Sequence, residues 1–139
     1  MKAKFTIHDC ALLNLSQLGD RHGHLTIIEN EQDVPFEIKR VYYLYDIPGG
    51  ESRGGHGHIH LESLIVAVSG SFDVTVDDGH ERKTISLNRP YHGLHIKPGM
   101  WRELHNFSSG AVCLVLASEL YNEEDYIRNY QQYLELSHS

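Results

Sequence analysis

The chain has 139 residues, a length that suits one domain around one core, and its 40% hydrophobic and 22% charged content sets aside disordered and fibrous classes. A net charge of -7 argues against general nucleic-acid or anionic-membrane binding, since both need a cationic surface. No apolar run approaches the roughly eighteen residues that span a bilayer, and MKAKFTIHDC lacks the apolar stretch of a secretion signal, so a cytoplasmic protein with no nucleic-acid or membrane partner is expected.

Short apolar segments separated by Gly, Pro, Asn and Asp succeed one another along the chain, the rhythm of an antiparallel sandwich or barrel. FTIHDCALLNL and HLTIIEN come first, and FEIKRVYYLYD runs up to a Pro48-Gly49-Gly50 turn. LIVAVSG, almost wholly apolar from Leu64 to Val68, predicts a strand covered on both sides. In FDVTV, Phe72, Val74 and Val76 alternate with Asp73, Thr75 and Asp77, which predicts one wet face. RKTISL, GLHIKPG, WRELHNF and AVCLVLAS follow. The chain then changes character: Tyr126, Ile127, Tyr130, Tyr133 and Leu134 stand at helical spacing behind Asn122 as a cap, predicting a C-terminal helix over about 122–135. The expected architecture is all-β, a single small jelly-roll-like barrel over residues 1–139 with a short C-terminal α-helix.

Cys10 and Cys113 are too few for a disulfide scaffold and read as buried thiols. Histidine is the unusual entry, with 11 residues, three of them in RGGHGHIHLE. On a regular strand His56, His58, His60 and Glu62 would project to one face. The spacing resembles the first signature of the cupin superfamily, and PGMWRELHN, from Pro98 to Asn106, resembles the second. In metal-binding cupins the residue after the tryptophan-like position is a histidine ligand, and here it is Arg102. A guanidinium has no lone pair for a metal, and His105 on a regular strand points away from the Arg102 face. No metal and no other cofactor is therefore expected, although His56, His58 and Glu62 alone could form an open metal site.

Paired imidazoles suit proton transfer instead, such as abstraction beside a ketone, where the enediolate needs a donor near its oxygen. His56 and His58 are the candidate acid/base pair. Arg102 is the candidate donor to the substrate, and Arg53, and less directly Arg40, could hold a phosphate. Tyr43 and Tyr45 share one face of their strand and Tyr42 the other, so only one set can line a cavity. Trp101 could stack on a ligand or sit in the core.

Four blocks together, IKRVYYLYD, RGGHGHIHLE, GLHIKPGMWRELHNFS and VLASELYNEEDYIRNY, resemble the nucleotide-sugar 3,4-ketoisomerases of the WxcM-like cupin family. The resemblance implies a dTDP-linked 4-keto-6-deoxy sugar, dTDP-4-keto-6-deoxyglucose, as substrate and a 3-keto-6-deoxyhexose as product, destined for an aminotransferase that makes a 3-amino sugar. It implies that His56 and His58 are the acid/base pair, within which we assign His58 to the C3 proton and His56 to shuttling protons between the oxygens at C3 and C4, and that Tyr43 touches the sugar. It also implies a homodimer with exchanged N-terminal strands. Residues around Arg102, with His22, are candidates for setting the configuration at C4. A metal-dependent cupin, a dTDP-sugar epimerase and a non-catalytic nucleotide-sugar sensor are the competing readings.

Overall fold

The computed structural model describes residues 5–139, so the first four residues of MKAKFTIHDC, part of the stretch read for a secretion signal, lie outside the described ones. The strands are β1 Ala11–Asn14, β2 Ser16–Asp20, β3 Gly23–Ile27, β4 Arg40–Leu44, β5 Arg53–His58, β6 Ser63–Ser69, β7 Phe72–Asp77, β8 Arg82–Leu87, β9 His92–Ile96, β10 Trp101–His105, β11 Val112–Ala117 and β12 Tyr126–Ile127, followed by the helix α1, Tyr130–Ser137. Two five-stranded sheets, ordered β1-β9-β6-β11-β4 and β12-β5-β10-β7-β8, enclose the core, and β2 pairs with β3 as a separate hairpin. The architecture is all-β and jelly-roll-like, as the punctuation of the sequence predicts. The two ladders remain open sheets and do not join into one continuous barrel.

The main core lies between the sheets, where Ile65, Ala67, Cys113 and Val115 meet Phe72, Val74, Val76 and Leu104. Leu64, Val66 and Leu116 point the other way, under Leu15, Val34 and Phe36, so β6 is covered on both sides over Leu64 to Ala67. That explains its unbroken apolar run. Val68, at the end of the same run, is uncovered. Both cysteines are buried and free, and burial pushes the Cys113 thiol up to about 12.

Two expectations change. The second face of β7 is wet only at its start, where Asp73 is half-buried; Thr75 and Asp77 are buried. Thr75 Oγ1 lies 2.8 Å from both Thr84 Oγ1 and His105 Nε2, and Asp77 accepts a hydrogen bond from the Tyr130 hydroxyl at 2.6 Å. Polar side chains are covered here by polar partners, which a hydropathy pattern cannot register. The C-terminal helix starts at Tyr130 rather than at 122. Asn122 does cap, but only a 3-10 turn at Glu123–Asp125, because Tyr126 and Ile127 then pair with His58 and Gly57 as an added strand. Tertiary pairing overrides the helical spacing, and Asn129 provides the cap of α1, accepting from the Gln132 N–H.

Candidate active site

The alternation of β5 turns His56 and His58 to the same side, and the glycine between them has its own cause. A Cβ on Gly57 would lie 3.2 Å from Tyr133 Cδ1 and 3.3 Å from the Met100 carbonyl oxygen, so α1 packs where that side chain would be. Gly54, at a φ of 73°, bends β5 where its register with β10 shifts between Arg102 and Leu104. Arg102 is thereby paired with His56 across the ladder.

His58 is fully buried, with Nδ1 3.2 Å from Asp125 Oδ2 and Nε2 3.0 Å from His56 Nε2. The two imidazoles meet edge to face, and the Tyr126 ring packs on both, 4.4 Å from His58 and 5.0 Å from His56. His56 opens onto a cavity of about 370 Å³ between the sheets, whose wall also includes Arg102, Tyr42, Leu104 and Val115. Arg40, Arg53 and Arg128 join the same wall with Tyr121 and Tyr126, so four guanidiniums serve one cavity in a chain of net charge -7. The wall concentrates positive charge on an acidic protein, an arrangement that suits an anion.

Arg102 is 2% exposed, and only its Nη1 has a partner, donating to Ser63 Oγ at 3.1 Å. Its Nε and Nη2 are buried without acceptors, as is Arg40 Nε. Unpaired buried donors of a charged group are costly, so they mark places where a ligand oxygen would be received. Arg128 stacks over Tyr126 at 4.3 Å and is held by a two-point ion pair to Glu123.

Burial first, and then the guanidiniums of Arg102, Arg128 and Arg40, push His56 down to about 3. Burial, then Arg102 and His56, hold His58 well below the ordinary histidine range. The pair is neutral at pH 7 and carries lone pairs that a substrate proton can meet, while the same surroundings resist charging either ring. The sign for stability follows: below the unfolded value of 6.5 the unfolded chain takes up protons that the folded chain refuses, so stability is lost as pH falls from 6.5 towards about 3. Thermal melts across that window should show a falling Tm, and His56→Gln should make the decline shallower.

Not every residue singled out in the sequence reaches the cavity. Tyr43 points outward and is 59% exposed, and Tyr42, on the opposite face of β4, lines the wall instead. The contact expected for Tyr43 is corrected accordingly; alternation showed that only one face could serve, and packing chose the other. His60 and Glu62 leave the histidine face because β5 ends at His58. Glu62 instead lies 2.7 Å from His95 Nε2. Among the described residues, no three His, Cys, Asp or Glu side chains converge as metal ligands. His105 faces Thr75, as strand geometry predicts. Trp101 is a core residue against Tyr130 and Tyr133, and His22 sits at the tip of the β2–β3 hairpin, away from the cavity. Asp125, Tyr126 and Arg128 lie in a stretch with helical spacing; their signals were the density of charge and tyrosine in YNEEDYIRNY and its place in a block that carries the family resemblance.

A jelly-roll-like fold that gathers paired imidazoles and several guanidiniums around a cavity between its sheets defines a cupin-type enzyme. The chain belongs to the WxcM-like family: the family model described as FdtA: WxcM-like, C-terminal matches residues 8–138. A TDP-4-oxo-6-deoxy-alpha-D-glucose-3,4-oxoisomerase of Aneurinibacillus thermoaerophilus is 44% identical over 122 residues, 88% of either chain. A 3,4-ketoisomerase from Helicobacter canadensis superposes with a TM-score of 0.92 at 45% identity, covering 94% of this chain and 98% of the other. A mutant of QdtA, the 3,4-ketoisomerase of Thermoanaerobacterium thermosaccharolyticum, solved with TDP-4-keto-6-deoxyglucose, superposes with a TM-score of 0.91 at 42% identity over 94% of both chains. The chain is an isomerase of this family.

Proposed function

We propose that this chain converts dTDP-4-keto-6-deoxyglucose into a dTDP-linked 3-keto-6-deoxyhexose by proton transfer through an enediol(ate). The observation that carries it is the pair of imidazoles, Nε2 to Nε2 at 3.0 Å, beside the unpaired donors of Arg102 at a cavity rich in arginine. Arg53, Arg40 and Arg128 hold the diphosphate, leaving the sugar to the deeper wall. The bond between the two imidazoles marks where an edge of the hexose enters, replacing their mutual contact with contacts to C3–H and the two oxygens. His58 takes the proton from C3, and the electron pair moves into a C3–C4 double bond while the C4 oxygen gains a proton through His56. The oxygen at C3 then gives up its proton to His56, the protonated His58, whose proton exchanges with solvent, returns one to C4, and the carbonyl stands at C3 with both imidazoles neutral again. Arg102 offers its free N–H groups to the oxygen that carries negative charge midway. The 3-keto product suits an aminotransferase that makes a 3-amino sugar.

Incubation of the protein with the 4-keto substrate in heavy water, followed by NMR, tests the reading. Deuterium at C4 of a 3-keto product is expected. Unchanged sugar without exchange would overturn it in favour of a sensor, and inversion at C3 or C5 without carbonyl migration in favour of an epimerase.

The same reading includes a homodimer that exchanges N-terminal strands. The β2–β3 hairpin supports it: the hairpin belongs to neither main sheet, and it leaves Leu18 61% and Leu25 54% exposed. Leu12, Val41, Tyr43 and Val68 add further exposed apolar surface from the first sheet. Sedimentation velocity should show a dimer, and the double variant Leu18→Lys, Leu25→Lys should shift it towards monomer.

A further inference from the structure

We infer that Asp125 is a positioning residue that sets the tautomers of both imidazoles, making His58 Nε2 the atom that receives a proton. The inference rests on the ketoisomerase reading for its catalytic meaning, while its structural half stands on contacts alone.

Three consecutive backbone N–H groups beyond β5 converge on this one residue. Ile59 donates to the Asp125 carbonyl at 3.1 Å, His60 to Oδ1 at 2.7 Å and Leu61 to Oδ2 at 3.2 Å. The carboxylate is 7% exposed, so little solvent competes for it. Its remaining contact is His58 Nδ1, 3.2 Å from Oδ2. A carboxylate only accepts, so Nδ1 must carry the hydrogen, and in a neutral ring Nε2 is then left with the lone pair. His56 Nε2, 3.0 Å from that lone pair, must in turn be the donor. One buried carboxylate thereby orders two protons: His58 is prepared as a base and His56 as an acid. When His58 gains a proton, the imidazolium faces a carboxylate at contact distance, which works against the burial and the guanidiniums that oppose charging it.

The structural alternative is that Asp125 only clamps the loop that follows β5. Nitrogen NMR of the wild-type imidazoles near pH 7 separates the two. Hydrogen on His58 Nδ1 and on His56 Nε2 is expected; hydrogen on His58 Nε2 would overturn the inference whatever the variants do. In the variant Asp125→Asn, kcat should fall by about 10²- to 10⁴-fold with KM within about threefold. The acidic limb of the kcat profile should move to lower pH, since removing the carboxylate makes His58 harder to protonate. A kcat within about threefold of wild type, or a loss confined to KM and thermal stability with the limb unmoved, would assign Asp125 to the clamp alone. If wild-type protein failed to isomerise the sugar, the ketoisomerase reading would fall while the tautomer result still decided the structural half.

Discussion

Replacing His58 with asparagine should lower kcat by about 10²- to 10⁴-fold, the usual contribution of a positioned acid or base, and should abolish deuterium exchange at C3. KM should change little, because the arginines proposed to hold the anionic part of the ligand line the cavity wall and do not depend on His58. His56→Asn should cost a similar factor in product formation yet leave slow exchange at C3, since the base remains and only the route between the two oxygens is broken. Measuring exchange and turnover on the same samples makes the pair of variants informative beyond a simple loss of activity. Exchange surviving in the His58 variant and vanishing in the His56 variant would reverse the assigned roles. Full turnover in both would remove the imidazoles from the mechanism.

Arg102→Met should move activity and stability in opposite directions. Arg102 is buried with two of its nitrogens unpaired, and an uncompensated buried cation destabilises the fold that contains it. Methionine fills much of the same volume without charge, so unfolding by urea should show a gain of about 1–4 kcal/mol. Turnover should fall by about 10²- to 10³-fold, the loss typical of removing a donor aimed at a developing oxyanion. The charge also contributes to holding both histidines neutral, so its removal should raise their basicity and bring the acidic limb of the rate profile towards neutral pH. A variant that lost stability and kept its rate would show that Arg102 serves the core and not the reaction.

Several features of this protein follow from residue order alone, because their causes are local. Strand periodicity brings His56 and His58 to one side, turns His105 away from Arg102, and divides Tyr42 from Tyr43. The apolar run of β6 announces a strand buried on two faces, and a guanidinium at position 102 is a poor metal ligand in any fold. Other features depend on what lies across the chain. Which face of β4 looks inward depends on how the two sheets pack; periodicity is the same for both choices. Whether YNEEDYIRNY winds or extends depends on the free edge of β5, whose backbone groups take Tyr126 and Ile127 into the sheet. Asp125 meets His58 across 67 residues of sequence, and no spacing rule spans that interval. Sequence determined the chemical repertoire and the alternation of its strands. Tertiary structure decided which members of that repertoire share a cavity, because side-chain contacts arise from sheet pairing and packing between segments distant in the chain.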